Sequence, residues 1–268
     1  MKNQIKLSLL EMLMPFVILA QGKTKSYTVK SPDKKIEFTL SLNEKTWISA
    51  SYEELSILER SYISMNLTSG ILGHNPQVDR IEKSEISEVL HPVVKVKEET
   101  VNNNCNELIV YFKNDYYLGL RAYNKGIAYR FGTDIEEKIT VISETWEYIF
   151  PKNHMVWWGK EKTFESHNQV YFDYTSLRNI SSKDLASLPL IINPANGPKI
   201  VITETDLQDY PGMWLRGSNS NMLFRVSPKY PKTIEQKSDR YLPITERENY
   251  IAKTSGSRNF PWRIFAIA

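Results

Sequence analysis

Ile36-Glu37-Phe38-Thr39-Leu40-Ser41-Leu42 alternates apolar and polar residues without a break. A period of two puts Ile36, Phe38, Leu40 and Leu42 on one face of an extended chain and the three polar residues on the other. A helix would scatter the same four apolar side chains around its circumference. The stretch therefore predicts a half-buried β-strand, and it sets the pattern against which the rest of the chain is compared.

The same pattern recurs on both sides. Upstream, Tyr27-Thr28-Val29-Lys30 runs into a Ser31-Pro32-Asp33 turn. Downstream, strands are predicted over 107–113, 117–123 and 127–131. The last two are joined by Asn124-Lys125-Gly126, a hairpin turn in which glycine tolerates a positive φ. Further strands are predicted over 138–143, 155–158, 188–193, 199–204, 213–215, 221–226 and 262–267. Residues 52–68 carry Glu53, Glu54 and Glu59 with Leu55, Leu58 and Ile63, a spacing that suits one short helix. Residues 229–249 are polar and predict a long loop or an edge segment. No repeat of fixed period and no low-complexity linker is present. Many short strands between frequent turns predict an all-β fold, a large sandwich of two antiparallel sheets. The absence of regular crossover helices argues against a parallel α/β sheet.

Composition bounds the function. Of 268 residues, 41% are hydrophobic, ample for one large core. The net charge of +3 comes from scattered residues with no basic block, which excludes a nucleic-acid footprint. Lys2 and Lys6 precede an apolar stretch over 7–20, and Ala20-Gln21 offers a cleavage position, so residues 1–20 are predicted to be an export signal. Glu11 and Pro15 interrupt the stretch, which is too short for a membrane span. The mature chain is then expected in the periplasm or on the outer surface of a Gram-negative cell. Cys105 is the single cysteine, so no internal disulfide can form, and its polar run Asn102-Asn103-Asn104-Cys105-Asn106 suggests a loop.

No phosphate-binding loop, dinucleotide glycine signature, zinc-protease helix or serine elbow occurs. The four histidines, His74, His91, His154 and His167, are too scattered for a paired metal site. Two clusters hold candidate chemistry. Trp157 and Trp158 are followed by Glu165-Ser166-His167-Asn168 and then by Tyr171, Phe172 and Tyr174. Aromatic faces stack on sugar rings, and carboxylates or amides bind hydroxyls or a hard cation such as Ca²⁺. The competing reading makes both tryptophans core residues and Glu165 a solvated loop acid. The second cluster, residues 203–213, contains Glu204, Asp206 and Asp209. Glu204 and Asp206 share a face if the preceding strand continues, an arrangement open to acid–base work or to a plain solvated turn.

Four segments together resemble a known family. They are Ser31-Pro32-Asp33-Lys34-Lys35-Ile36, Asn124-Lys125-Gly126-Ile127-Ala128-Tyr129-Arg130-Phe131, the Glu204 region ending Asp209-Tyr210-Pro211-Gly212-Met213-Trp214-Leu215, and Arg258-Asn259-Phe260-Pro261-Trp262-Arg263-Ile264-Phe265. The chain resembles the N-terminal domain of glycoside hydrolase family 97, the retaining and inverting α-glucosidases and α-galactosidases of Bacteroides-type bacteria. The resemblance covers nearly all of residues 21–268. It implies a β-super-sandwich of galactose-mutarotase type packed on a catalytic (β/α)8 barrel. That barrel carries the acid and the base or nucleophile, with a Ca²⁺ near the sugar to which the N-terminal domain lends one glutamate. Glu165 is the matching residue, although its spacing to Tyr174 is longer than in glucosidase members. Trp158, His167 and Glu204 are the residues expected to contact oligosaccharide. The chain reaches Ala268 where the barrel is expected to begin, so no complete catalytic site is expected in it. An apolar patch for the barrel is expected around Tyr210, Trp214 and Phe260. The alternative is a free-standing carbohydrate-binding or structural periplasmic sandwich.

Overall fold

A computed structural model describes residues 24–268, and the expected export signal over 1–20 lies outside the described residues. The chain opens with β1 (Lys25–Lys30), β2 (Ile36–Leu42), β3 (Thr46–Tyr52), β4 (Leu55–Leu67) and β5 (Gly70–Leu72). Two long strands follow, β6 (Val78–Leu90) and β7 (Val101–Phe112), then β8 (Tyr116–Tyr123), β9 (Gly126–Asp134) and β10 (Ile139–Ile149). The middle holds β11 (Met155–Glu161), β12 (Phe172–Ser176), a single 3₁₀ turn (Leu177–Asn179), β13 (Leu185–Ala186), β14 (Leu190–Asn193) and β15 (Ile200–Thr205). Last come β16 (Trp214–Arg216), β17 (Met222–Val226), β18 (Pro231–Ile234), β19 (Ile244–Arg247), β20 (Ala252–Thr254), β21 (Ser257–Asn259) and β22 (Trp262–Ile267).

The ladders sort into two antiparallel layers. In the first, β1, β2, β3, β4 and β10 lie side by side, and β20 and β17 share the far edge of β10. This layer continues through β16 to β13. In the second, β6, β7, β8 and β9 are followed by β21 and β22 along the far edge of β9, then β15, β14, β11 and β12. Strand β11 joins the layers. Met155 to Trp157 pair with β14, whereas Lys160 and Glu161 pair with β13 of the other layer.

The expected alternation on β2 is present in full, with Ile36, Phe38, Leu40 and Leu42 all buried. An aromatic spine fills the gap between layers. Phe38 of β2 faces Tyr129 of β9 at 6.2 Å, Tyr129 faces Trp146 of β10 at 5.2 Å, and Tyr148 meets Phe265 of β22 edge-on at 5.0 Å. Such tilted and edge-on pairs are the favoured geometries for aromatic quadrupoles. The all-β sandwich predicted from periodicity is therefore the fold.

The hairpin between β8 and β9 turns at Asn124 and Lys125, and Gly126 opens β9 opposite Tyr123. A Cβ on Gly126 would stand 2.6 Å from the Phe265 carbonyl oxygen, so the glycine is required by the close approach of β22. Two of the quoted sequence segments meet nearby, where the Asp33 N–H donates to Asn124 Oδ1 at 3.0 Å.

Two expectations are corrected and a third is refined. Residues 52–68 are not a helix. Glu53 and Glu54 both adopt positive φ, 47° and 70°, and form the two-residue turn of the β3–β4 hairpin. The charged pair that mimics a helix start is thus a tight turn, and Ile57, Ile63 and Met65 are buried between neighbouring strands. The asparagine-rich run around Cys105 is not a loop but part of β7. Backbone pairing with β6 along the whole run, joined by β8 from Cys105 onward, holds it extended whatever its side chains, and Cys105 is buried. Residues 229–249, expected as a long loop or an edge segment, contain a small separate sheet of β18 and β19 with a loop between its strands.

Burial pushes the Cys105 thiol above its ordinary pKa, outweighing the bond to Tyr123 and the nearby Arg121 charge. The thiol should therefore resist Ellman's reagent in the native chain at pH 8 and titrate fully in denaturant. Rapid stoichiometric reaction without denaturant would contradict this placement.

Candidate functional site

The connection from β11 to β12 carries the candidate residues. Alternation along β11 turns Val156 and Trp158 inward and Trp157 outward. Trp158 is 2% exposed and Trp157 43% exposed, so the core reading holds for Trp158, and its indole is not open to a ligand from solvent. Antiparallel register sets Tyr174 opposite Trp157 and Phe172 opposite Gly159. The Trp157 and Tyr174 rings lie 4.7 Å apart, and Asn193 Nδ2 donates to the Tyr174 hydroxyl at 2.6 Å. Phe172 and Tyr171 are also exposed, which makes an outward aromatic strip. The expected apolar patch at Tyr210 and Phe260 is absent, because both rings are buried and pack edge-on at 5.2 Å. Trp214 is half-buried against Phe164.

Glu165 lies on the exposed loop between β11 and β12. Arg247 of β19 donates to its Oε1 at 3.0 Å and, through its other terminal nitrogen, to the Lys229 carbonyl at 2.7 Å. The ion pair thus ties the loop to the β18–β19 hairpin across a cavity of about 330 Å³ lined by Phe164, Tyr210, Pro211 and Tyr230. His167 is exposed on the same loop. Among the described residues no three histidine, cysteine, aspartate or glutamate side chains gather as a metal site. Ca²⁺ takes six to eight oxygens, so Glu165 by itself does not constitute a calcium site in this chain.

Glu204 points elsewhere. Its carboxylate pairs with Arg263 of β22 and accepts the Met213 N–H at 2.8 Å. Strand β15 ends at Thr205. Asp206 leaves it with φ 59° and pairs with Arg130 at 3.1 Å, so Glu204 and Asp206 do not continue along one strand face.

Arg263 opens a network that sequence patterning does not disclose. Its other terminal nitrogen lies 3.4 Å from Glu144 of β10, and Arg225 of β17 lies 3.2 Å from the same carboxylate. The Tyr210 hydroxyl donates to Glu144 as well. All four of these side chains are buried, and the Arg263 guanidinium sits 4.6 Å from the Trp146 ring centre. Burial by itself would favour deprotonating Arg263, but Glu144 and then Glu204 raise its pKa above the ordinary value. Burial, reinforced by the Glu144 charge, pushes the Tyr210 phenol far up. Sequence patterning carried no signal for this network, since Glu144 lies beyond the strand predicted over 138–143 and the apolar alternation of Met222, Phe224 and Val226 would turn Arg225 outward.

Removing one partner of a buried pair strands the other charge. Arg263→Met should destabilise the chain by about 3–5 kcal/mol in urea unfolding, because Glu144 and Glu204 both lose a counter-charge. A loss under 1 kcal/mol would show that the network does not secure the layers.

Comparison with known proteins places this geometry. The family model described as glycosyl-hydrolase 97 N-terminal matches residues 29–268. A retaining α-galactosidase of Bacteroides thetaiotaomicron is 32% identical, over 91% of this chain but 38% of its own length. A glycoside hydrolase family 97 enzyme from Pseudoalteromonas sp. strain K8, solved with acarbose, superposes with a TM-score of 0.76 at 18% identity, covering 90% of this chain and 35% of that one. A β-arabinopyranosidase gives 0.71 at 17% identity, covering 90% and 40%. The solved structures establish the shared fold, and the chain spans about two-fifths or less of the length of each relative. With the family model matching nearly its whole described length, the chain belongs to the glycosyl-hydrolase 97 N-terminal family.

Proposed function

We propose that this chain is the carbohydrate-contacting N-terminal domain of an exported α-glycosidase, an α-glucosidase or α-galactosidase, and that it packs on a catalytic (β/α)8 barrel. The observation that carries the reading is Glu165. It stands on the exposed loop that follows β11, bonded through its side chain to Arg247 among the described residues. An acid so placed can be re-partnered when another domain arrives. In the proposed assembly Glu165 gives one oxygen to a Ca²⁺ whose other ligands come from the rest of the enzyme, and His167 on the same loop lies toward the sugar. Glu204 and Trp158 serve that surface indirectly, the first by fixing the Met213 segment and the second by backing β11. The 32% identity to a retaining α-galactosidase supports the substrate class. The bond-breaking acids are assigned to the barrel. Glu144 and Glu204 are committed to arginines and so are not free for general acid–base work.

The aromatic strip favours a second reading, a free-standing carbohydrate-binding module of the periplasm or cell surface. Half-exposed rings on rigid strands suit the apolar faces of pyranoses.

The purified chain should not turn over aryl α-galactosides or α-glucosides. Turnover abolished by a substitution within this chain would refute the division of labour. It should also show no saturable Ca²⁺ binding below about millimolar concentration, since one carboxylate leaves most of the coordination shell unfilled. Calorimetry with melibiose and maltose separates the two readings. The accessory domain is expected to give no saturable heat, whereas binding lost in Trp157→Ala would favour the free-standing module.

A further inference from the structure

Strand β6 pairs with β7 on one side only, and among the described residues nothing pairs with its other edge. It is thirteen residues long, and every residue from Asp79 to Leu90 except Ile86 is exposed. An edge of this length presents a row of unpaired backbone donors and acceptors and is a template for strand addition. Lysine and glutamate on an edge usually discourage such pairing, because identical strands bring like charges together. The order of charges on β6 has the opposite consequence.

Two copies of β6 meeting antiparallel about a twofold axis perpendicular to the sheet must place residues of the same parity opposite one another, so the axis passes through a residue. Centred on Ser84, the pairing sets Lys83 against Glu85 and Arg80 against Glu88, each twice by symmetry. No acid then faces an acid. Centred on Glu82, Lys83 or Glu85, the same pairing puts that residue against its own like charge, and centred on Ile81 the charges match but only residues 78–84 pair, whereas the Ser84 register pairs the whole strand. Lys83 and Glu85 also make no ion pair within their own chain among the described residues, so they are available to a partner. Arg80 stacks on Tyr111 of β7 and bonds Glu82 at 3.1 Å, and Glu88 accepts from Asn103 Nδ2 at 2.6 Å, so this second pair exchanges contacts within the chain for one across the edge.

We infer that β6 is a self-recognition edge through which two copies of this chain join their second layers into one continuous antiparallel sheet, in the register centred on Ser84. Opposite charges facing each other across paired strands are stabilising, and twofold symmetry doubles each such pair. The interface is isologous and closes as a dimer, leaving no β6 edge to propagate.

Sedimentation velocity over a concentration series tests this with three charge variants on the exposed edge, each checked for native folding by circular dichroism. The wild-type chain should dimerise. Lys83→Glu and Glu85→Lys should each weaken the dimer by about tenfold, since each creates two like-charge pairs. The double variant Lys83→Glu/Glu85→Lys should recover it, because the opposed pairs are complementary again. A chain that is monomeric at all concentrations overturns the inference. So does a dimer insensitive to both single reversals, which would lie elsewhere, and so does a double variant no stronger than the singles. None of these outcomes depends on the glycosidase reading.

Discussion

Arg263 is a permanently charged group in the interior of a protein, and much of the structure is arranged around that fact. An isolated guanidinium at such a position would cost several kcal/mol in lost hydration. Glu144 and Glu204 offset it from two directions, one from each layer of the sandwich. Arg225 then neutralises the remainder of Glu144, Tyr210 donates to it, and Glu204 accepts the Met213 N–H. A polar knot of this kind tolerates little sliding. If β22 shifted by one residue against β9 or β15, Arg263 would turn outward and Glu144 and Glu204 would both lose its charge. The network therefore specifies register across strands β10, β15, β17 and β22 where apolar packing by itself would permit alternatives.

That register propagates to the functional edge. With β15 fixed against β22, β14 is placed by its ladder to β15, and β11 by its ladder to β14. Strand β11 then crosses to the first layer, and the loop after it emerges next to the β18–β19 hairpin, where Arg247 meets Glu165. The outward faces of Trp157, Phe172 and Tyr174 follow from strand parity once β11 is seated. A buried charge cluster and an exposed aromatic strip, far apart in their chemistry, are linked by a short run of antiparallel ladders.

Three of the four segments that carry the family resemblance acquire a physical meaning here. Tyr129 of the hairpin, Glu204, Tyr210 and Met213 of the middle segment, and Phe260 and Arg263 of the last segment all lie in or against the polar knot. Residues quoted as a family signature are thus mainly those that hold the layers together. Glu204 illustrates the point. In sequence it is an acid beside other acids, open to a role in chemistry. In the fold its carboxylate is taken by a buried arginine and a backbone N–H.

Strand periodicity was enough to determine the architecture, because burying alternate side chains is a local consequence of pleating. Ile36 to Leu42 and the Asn124–Lys125 hairpin were legible for that reason, as was the aromatic and acidic content of residues 157–174. Three things were not legible. The Glu53–Glu54 turn imitates a helix start, since a two-residue turn of positive φ has no periodicity to betray it. Strand β6 and the asparagine run of β7 lack apolar alternation, and only backbone pairing with each other makes them strands. The partners of Glu144, Arg225 and Arg263 lie on strands distant in the chain, and ion pairing depends on proximity that only folding creates. Sequence by itself determined the sandwich and the kinds of residue at its edge. Tertiary structure decided that Trp157 rather than Trp158 faces outward, that Glu204 is bonded to Arg263 and the Met213 N–H, and that Glu165 is held by Arg247, because each depends on which distant strand is the neighbour.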